Sequence, residues 1–137
     1  MLQYLHSSAK NQQIKPLERL QAGSWVRCER PSEDELAELL ALGLDNDLLS
    51  DALDPHEVPR LEIDDDWTYL IARLPDTDDD FNDFTTPILF CLNKDYAVTL
   101  SRDSLGRLWQ PFIDQARSRT DRPVELLVDM IDAISRQ

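Results

Sequence analysis

Hydrophobic and polar positions change period several times along the chain, and each change marks an element. Leu2, Tyr4 and His6 alternate with Gln3 and Leu5, which predicts a short strand over Met1–His6. Polar residues Ser7–Gln13 predict a turn, and Leu17–Gln21 fits neither period. Ser24–Glu29, with Trp25 central, reads as a strand. Pro31–Gly43 carries the clearest helical pattern. Ser32 and Glu35 have capping-box spacing, Glu33, Asp34 and Glu35 fill the first turn where the helix dipole favours acids, and Leu36, Leu39 and Leu40 share one face. Gly43 supplies the stop. A second, short helix is predicted from Asp45 or Asn46 to Leu53, with Leu48, Leu49, Ala52 and Leu53 inward and Asp54-Pro55 as its breaker.

Further along, Arg60–Ile63 and Trp67–Leu74 read as two strands joined by Asp64, Asp65 and Asp66. Trp67, Tyr69 and Ile71 alternate with Leu70, Ala72 and Leu74, so the second strand is apolar on both faces and belongs inside a sheet covered on both sides. Asp76–Asp83 is an acidic loop. Ile88–Leu92 and Tyr96–Leu100 form a hairpin across Asn93-Lys94-Asp95. Leu105, Leu108, Trp109, Phe112, Ile113 and Ala116 have helical spacing, and Pro111 suits a first turn, which puts the start of the regular helix near Trp109. Asp121-Arg122-Pro123 opens a last helix, apolar at Val124, Leu126, Leu127, Val128, Met130, Ile131, Ala133 and Ile134. It meets no glycine or proline before Gln137, as expected of a helix that frays or is cut in its middle. Mixed strands and helices with two doubly covered strands predict an α/β fold: an α/β/α sandwich whose central sheet is mixed and partly antiparallel, with helices on both faces.

Composition narrows the function classes. The 137 residues fit one domain. Twenty-seven acids against fourteen bases give a formal net charge of −13, which repels nucleic acid and anionic lipid and attracts cations. On composition alone such a surface is more often a matter of solubility than of metal binding. Cys28 and Cys91 have no paired spacing, so reduced buried thiols are the default, with a Cys28–Cys91 bridge the alternative. There is no run of about 20 apolar residues of the kind that spans a bilayer and no signal-peptide pattern at the start. Three scattered glycines make no phosphate loop, the serines lie in no nucleophile-elbow motif, and His6 and His56 are isolated, so an enzyme reading has nothing behind it. Asp78-Asp79-Asp80 lacks the spacing and turn glycine of a calcium loop and reads as a solvated run.

The order of the segments resembles one family. Asp47–Leu74 has a short helix, Asp51-Ala52-Leu53, then Pro59-Arg60-Leu61-Glu62, an acidic turn and an apolar strand. An acidic loop, the Ile88–Leu100 hairpin, Trp109-Gln110-Pro111 and Leu126–Ala133 follow, and upstream Trp25 precedes Pro31–Glu35. Over about residues 23–137 this is similar to the amino-terminal cytoplasmic domain of CorA-type transporters of magnesium and other divalent cations, cobalt among them. The family's Gly-Met-Asn signature is not in these residues. The resemblance implies a homopentamer on the cytoplasmic side of the cell membrane, a domain leading into a stalk helix and a pore, and divalent cations held weakly between subunits to shut it. It implies regulatory Mg2+ at Asp51, whose partner carboxylate comes from the neighbouring subunit's stalk; Ser50 stands where some members have a second acid. For Asp51 the alternative is a solvated acid on a short helix. For the chain as a whole the alternatives are a stand-alone acidic interaction module and the cytoplasmic domain of a zinc-transporting relative.

Overall fold

The computed structural model describes residues 1–64, 66–77, 83–115 and 118–136. Seven strands form one sheet: β1 (Leu2–His6), β2 (Lys15–Leu17), β3 (Ser24–Glu29), β4 (Arg60–Ile63), β5 (Thr68–Thr77), β6 (Asp83–Leu92) and β7 (Tyr96–Ser101). Their spatial order is β2-β1-β3-β7-β6-β5-β4. Every neighbouring pair is antiparallel except β3 and β7, which run parallel with Ser24 opposite Tyr96 and Glu29 opposite Ser101. The helices are α1 (Glu33–Ala41), α2 (Asn46–Ala52), α3 (Gly106–Asp114) and α4 (Pro123–Ser135).

Two apolar layers sandwich the sheet, as the doubly apolar strands require. On one face Leu39 of α1 and Leu48, Leu49 and Ala52 of α2 pack on Val26, Cys28, Tyr69, Ile71, Leu89, Cys91, Val98 and Leu100. On the other, Leu108 and Trp109 of α3 and Leu126 and Met130 of α4 pack on Leu5, Trp25, Leu74, Ile88, Phe90 and Ala97. The mixed sheet with helices on both faces is the expected fold class.

Local signals explain the helix ends. Ser32 accepts from the Glu35 amide at 3.2 Å, and Glu35 Oε1 accepts from the Ser32 amide at 3.0 Å, which closes the capping box. Gly43 has φ +97°, the left-handed conformation that glycine adopts without strain. Asp45 caps α2 by accepting from the Leu48 amide at 3.0 Å, and its own amide donates to the Tyr69 hydroxyl at 3.0 Å, which fastens α2 over β5.

Three expectations change and one alternative falls. Lys15–Leu17 adds an edge strand, with Tyr4 opposite Leu17, where the sequence has no alternating run. Strands β5 and β6 pair for ten residues each, from Thr68↔Leu92 to Thr77↔Asp83, so the acidic loop is shorter than Asp76–Asp83. Arg73 ties this extension together, donating to Thr85 Oγ1 and to the Thr85 carbonyl at 2.7 Å each. Residues 78–82, and with them Asp78-Asp79-Asp80, lie outside the described residues, as do Asp65 and Ala116. Helix α3 begins at Gly106 rather than near Trp109, with Pro111 inside it. Proline removes one amide donor there, but Pro111 and Arg107 both face water, which can solvate the freed carbonyl. Finally, the Cys28–Cys91 bridge is excluded. Strand β7 lies between the two cysteines, Cys28 facing Leu100 and Cys91 facing Val98. Two strand spacings are roughly 9–10 Å, beyond the roughly 7 Å that a disulfide tolerates. Both thiols are buried and free; burial pushes Cys28 up to about 12 and raises Cys91 well above the usual thiol range.

Carboxylates also hold turns. Asp64 Oδ1 accepts from the amides of Asp66 at 2.9 Å and Trp67 at 2.7 Å, and the Trp67 amide above all holds the Asp64 carboxyl below the usual range. The Ser32 amide does the same for Glu35, and Arg119 for Asp121. A carboxylate whose folded pKa is depressed contributes stability above its unfolded pKa and loses it as pH falls through the folded value. The melting temperature should therefore fall steeply below about pH 4, and less steeply in Asp64→Asn. Parallel profiles for the two proteins would contradict the assignment.

Candidate functional site

Asp51 lies in the last turn of α2. The chain turns sharply after it: the Asp54 amide donates to the Asp51 carbonyl at 3.0 Å, the Glu57 amide to the Asp54 carbonyl at 3.1 Å, and the His56 amide to Asp54 Oδ1 at 2.9 Å. This reversal returns the chain as β4 and sets Arg60 against Asp51. The Arg60 guanidinium donates from one terminal nitrogen to Asp51 Oδ2 and from the other to Glu57 Oε1 at 3.0 Å. Its Nε lies 3.2 Å from Glu62 Oε1, an ion-pair distance without an aligned hydrogen bond. Arg73 of β5 donates to the Glu57 carbonyl at 2.9 Å and steadies the loop.

Three carboxylates thus surround the Arg60 guanidinium, with Arg73 a second cation at the edge of the cluster, so one negative charge is in surplus. The Asp51 and Glu62 side chains are 39% and 49% exposed, so water and ions reach them, whereas Glu57 is 14% exposed. The hydrogen bond to Asp51, ahead of other causes, raises the Arg60 pKa. Carboxylate oxygens suit a hard cation such as Mg2+, which keeps most of its water and takes one or two carboxylates. They do not form a cage: among the described residues no group of three or more His, Cys, Asp or Glu is disposed to hold a metal ion. A cation at Asp51 would compete with Arg60 for the carboxylate.

Sequence reasoning named Asp51 and missed its partner. Arg60 was legible only as the basic residue of Pro59-Arg60-Leu61-Glu62. The signal for the pair was the helix breaker Asp54-Pro55, which folds a strand back beside the helix end. The other candidates stay apart. His6 Nε2 lies 3.1 Å from Gln21 Nε2, and the amide of exposed His56 donates to Asp54 Oδ1. Asp64 shapes a turn, its Oδ1 accepting from the Asp66 and Trp67 amides.

Comparison with known proteins places the chain in a family. A family profile described as CorA-like Mg2+ transporter protein matches residues 21–137, and the chain belongs to that family. No curated protein matches the sequence. Among solved structures, the soluble domain of CorA from Methanocaldococcus jannaschii is similar at TM-score 0.79 and 23% identity, over 99% of this chain and 56% of that one. The complete CorA magnesium transporter of the same organism is similar at TM-score 0.76 and 23% identity, over 99% and 44%. The ZntB cytoplasmic domain from Vibrio parahaemolyticus RIMD 2210633 follows at TM-score 0.72 and 16% identity, over 99% and 58%. These likenesses establish the fold. The chain spans between 44% and 58% of the length of these structures. No helix among the described residues is long and apolar enough to cross a membrane.

Proposed function

We propose that this chain is the cytoplasmic sensing domain of a magnesium transporter and that Asp51 is its cation-responsive carboxylate. The family match over residues 21–137 supports the transporter reading. The observation that carries the site is a half-exposed, Arg60-paired carboxylate at a helix end in a cluster with surplus negative charge. In the assembled protein, hydrated Mg2+ bridges Asp51 to an acid of the neighbouring subunit. Bridging offsets like-charge repulsion and favours the closed arrangement. When the cation is scarce the acids repel, the ring loosens and the pore opens, a population shift driven by differential ion binding. The domain performs no catalysis in this scheme. Its charge of −13 raises the local cation concentration and makes the switch sensitive to ionic strength.

The test is thermal melting of the assembled protein, expressed from its natural reading frame, in magnesium chloride against potassium chloride of equal ionic strength. Magnesium should raise the melting temperature further than potassium does, and Asp51→Asn should remove the difference. Equal shifts in the two salts would leave only screening and overturn the reading. The likeness to the ZntB cytoplasmic domain supports a second reading, a zinc-responsive relative. Selective stabilisation by micromolar zinc and not by magnesium would favour it.

A further inference from the structure

Helix α2 has no basic residue in its last turn, where the negative end of the helix dipole favours a cation, and Asp51 adds a carboxylate there. The missing positive charge comes from the next strand. Arg60 opens β4, opposite Ile71 on the ladder, and its guanidinium reaches back to Asp51 Oδ2. A tethered cation thus already holds the carboxylate that a free ion would take.

The way Arg60 is held makes it exchangeable. Its three nitrogens face three carboxylates, and the contact with Asp51 is the one it can give up. Glu57, the least exposed of the three, accepts at 3.0 Å from a different nitrogen and remains as an anchor. Nε is buried and makes no hydrogen bond, although Glu62 Oε1 lies 3.2 Å away. Released from Asp51, the guanidinium can turn on its Glu57 anchor and close that bond, so one hydrogen bond is lost and another is gained. The exchange needs no unfolding, because the Arg60 and Asp51 side chains both reach solvent. Potassium at Asp51 would replace one unit charge by another, whereas Mg2+ brings two.

We propose that Arg60 is a built-in competitor that hydrated Mg2+ displaces from Asp51, and that this competition sets the magnesium concentration to which the domain responds. Arg60 is a positioning residue. At low magnesium it holds Asp51 against the end of β4, and when the ion arrives it stays behind on Glu57 and Glu62. The inference rests on the reading of Asp51 as the cation-responsive carboxylate and adds the element that tunes it. An ion pair as exposed as this one shifts a competing equilibrium by up to about fivefold.

The test follows the melting temperature of the assembled protein, expressed from its natural reading frame, across a magnesium series at constant ionic strength. The concentration at which the temperature climbs above its potassium baseline tracks the dissociation constant. Arg60→Gln should lower that concentration about fivefold, and adding Asp51→Asn should abolish the gain. Arg60→Lys keeps the charge but not the planar fork and should lower it less; it replaces the glutamine variant if that one does not fold, and an unmoved onset there counts equally against the proposal. Exposed Arg122, beside α4 on the opposite face of the sheet, controls for net charge, and Arg122→Gln should leave the onset in place. An onset unmoved or raised in Arg60→Gln overturns the proposal, as does an equal fall in Arg122→Gln. A wild-type response that depends on Asp51 but is untouched by Arg60→Gln defeats this inference alone. Absence of any magnesium response in both wild type and Arg60→Gln defeats the Asp51 reading and this inference with it.

Discussion

Glu29→Ala is expected to remove about 3–5 kcal/mol of folding free energy, the range for stripping one partner from a buried ion pair. Arg27 and Glu29 lie two apart on β3 and so point to the same face, where their side chains are 9% and 3% exposed. Arg27 Nε donates to Glu29 Oε2, and Glu29 Oε1 accepts from the Leu105 amide at 2.6 Å. One carboxylate therefore both neutralises a buried guanidinium and satisfies the amide at the start of α3, which has no side-chain cap of its own. Alanine leaves a buried charge without its counter-ion and an amide without its acceptor. Urea titration measures the loss. Glu29→Gln keeps an acceptor and should lose less, and Arg27→Met with Glu29→Leu should recover part of the deficit by removing both charges together. A loss below about 1 kcal/mol for Glu29→Ala, the size of an exposed pair, would mean that the pair is solvated.

Trp109→Ala is expected to cost about 3–5 kcal/mol, the range for deleting a large buried aromatic. Trp109 is fully buried and meets Trp25 edge-on, with centroids 5.1 Å apart at 78°, and Phe112 at 5.7 Å and 75°. Phe112 also meets Trp25 edge-on at 5.8 Å, so three rings close on one another. The Trp25 Nε1–H donates to Thr99 Oγ1 at 2.9 Å, which anchors the group to the sheet. Removing the middle ring empties the space between α3 and β3. Trp109→Phe should cost less than Trp109→Ala. Equal losses would mean that the neighbouring rings collapse into the gap and cavity volume does not set the cost.

Local chemistry was legible in the sequence and distant pairing was not. The Ser32–Glu35 box, the Gly43 stop, the Asn93 turn and the period-two runs each act within a few residues, and each appears where the pattern put it. Alternation also revealed that Trp67–Leu74 is covered on both sides. The parallel match of β3 with β7 depends on two segments far apart in the chain, and no local period encodes it. Strand β2 is short and held by its neighbour, so propensity does not announce it. Pro111 misled because proline is better tolerated on a solvated helix face than its first-turn preference suggests. At the candidate site Asp51 could be named from a family pattern, but Arg60 could not be paired with it until the chain reversal at Asp54-Pro55 was known. Arg27 and Glu29 were readable as same-face residues beside Trp25; only the packing of α3 over them makes them buried.

The single parallel seam has a consequence for synthesis on the ribosome. Position 24 faces position 96, so β3 emerges roughly 70 residues before its inner neighbour. At about 5–20 residues per second, the inner edge of β3 waits roughly 4–14 seconds for a partner. An unpaired apolar edge is a template for pairing with another chain. Nascent chains paused between these two strands are the ones most in need of a holding chaperone.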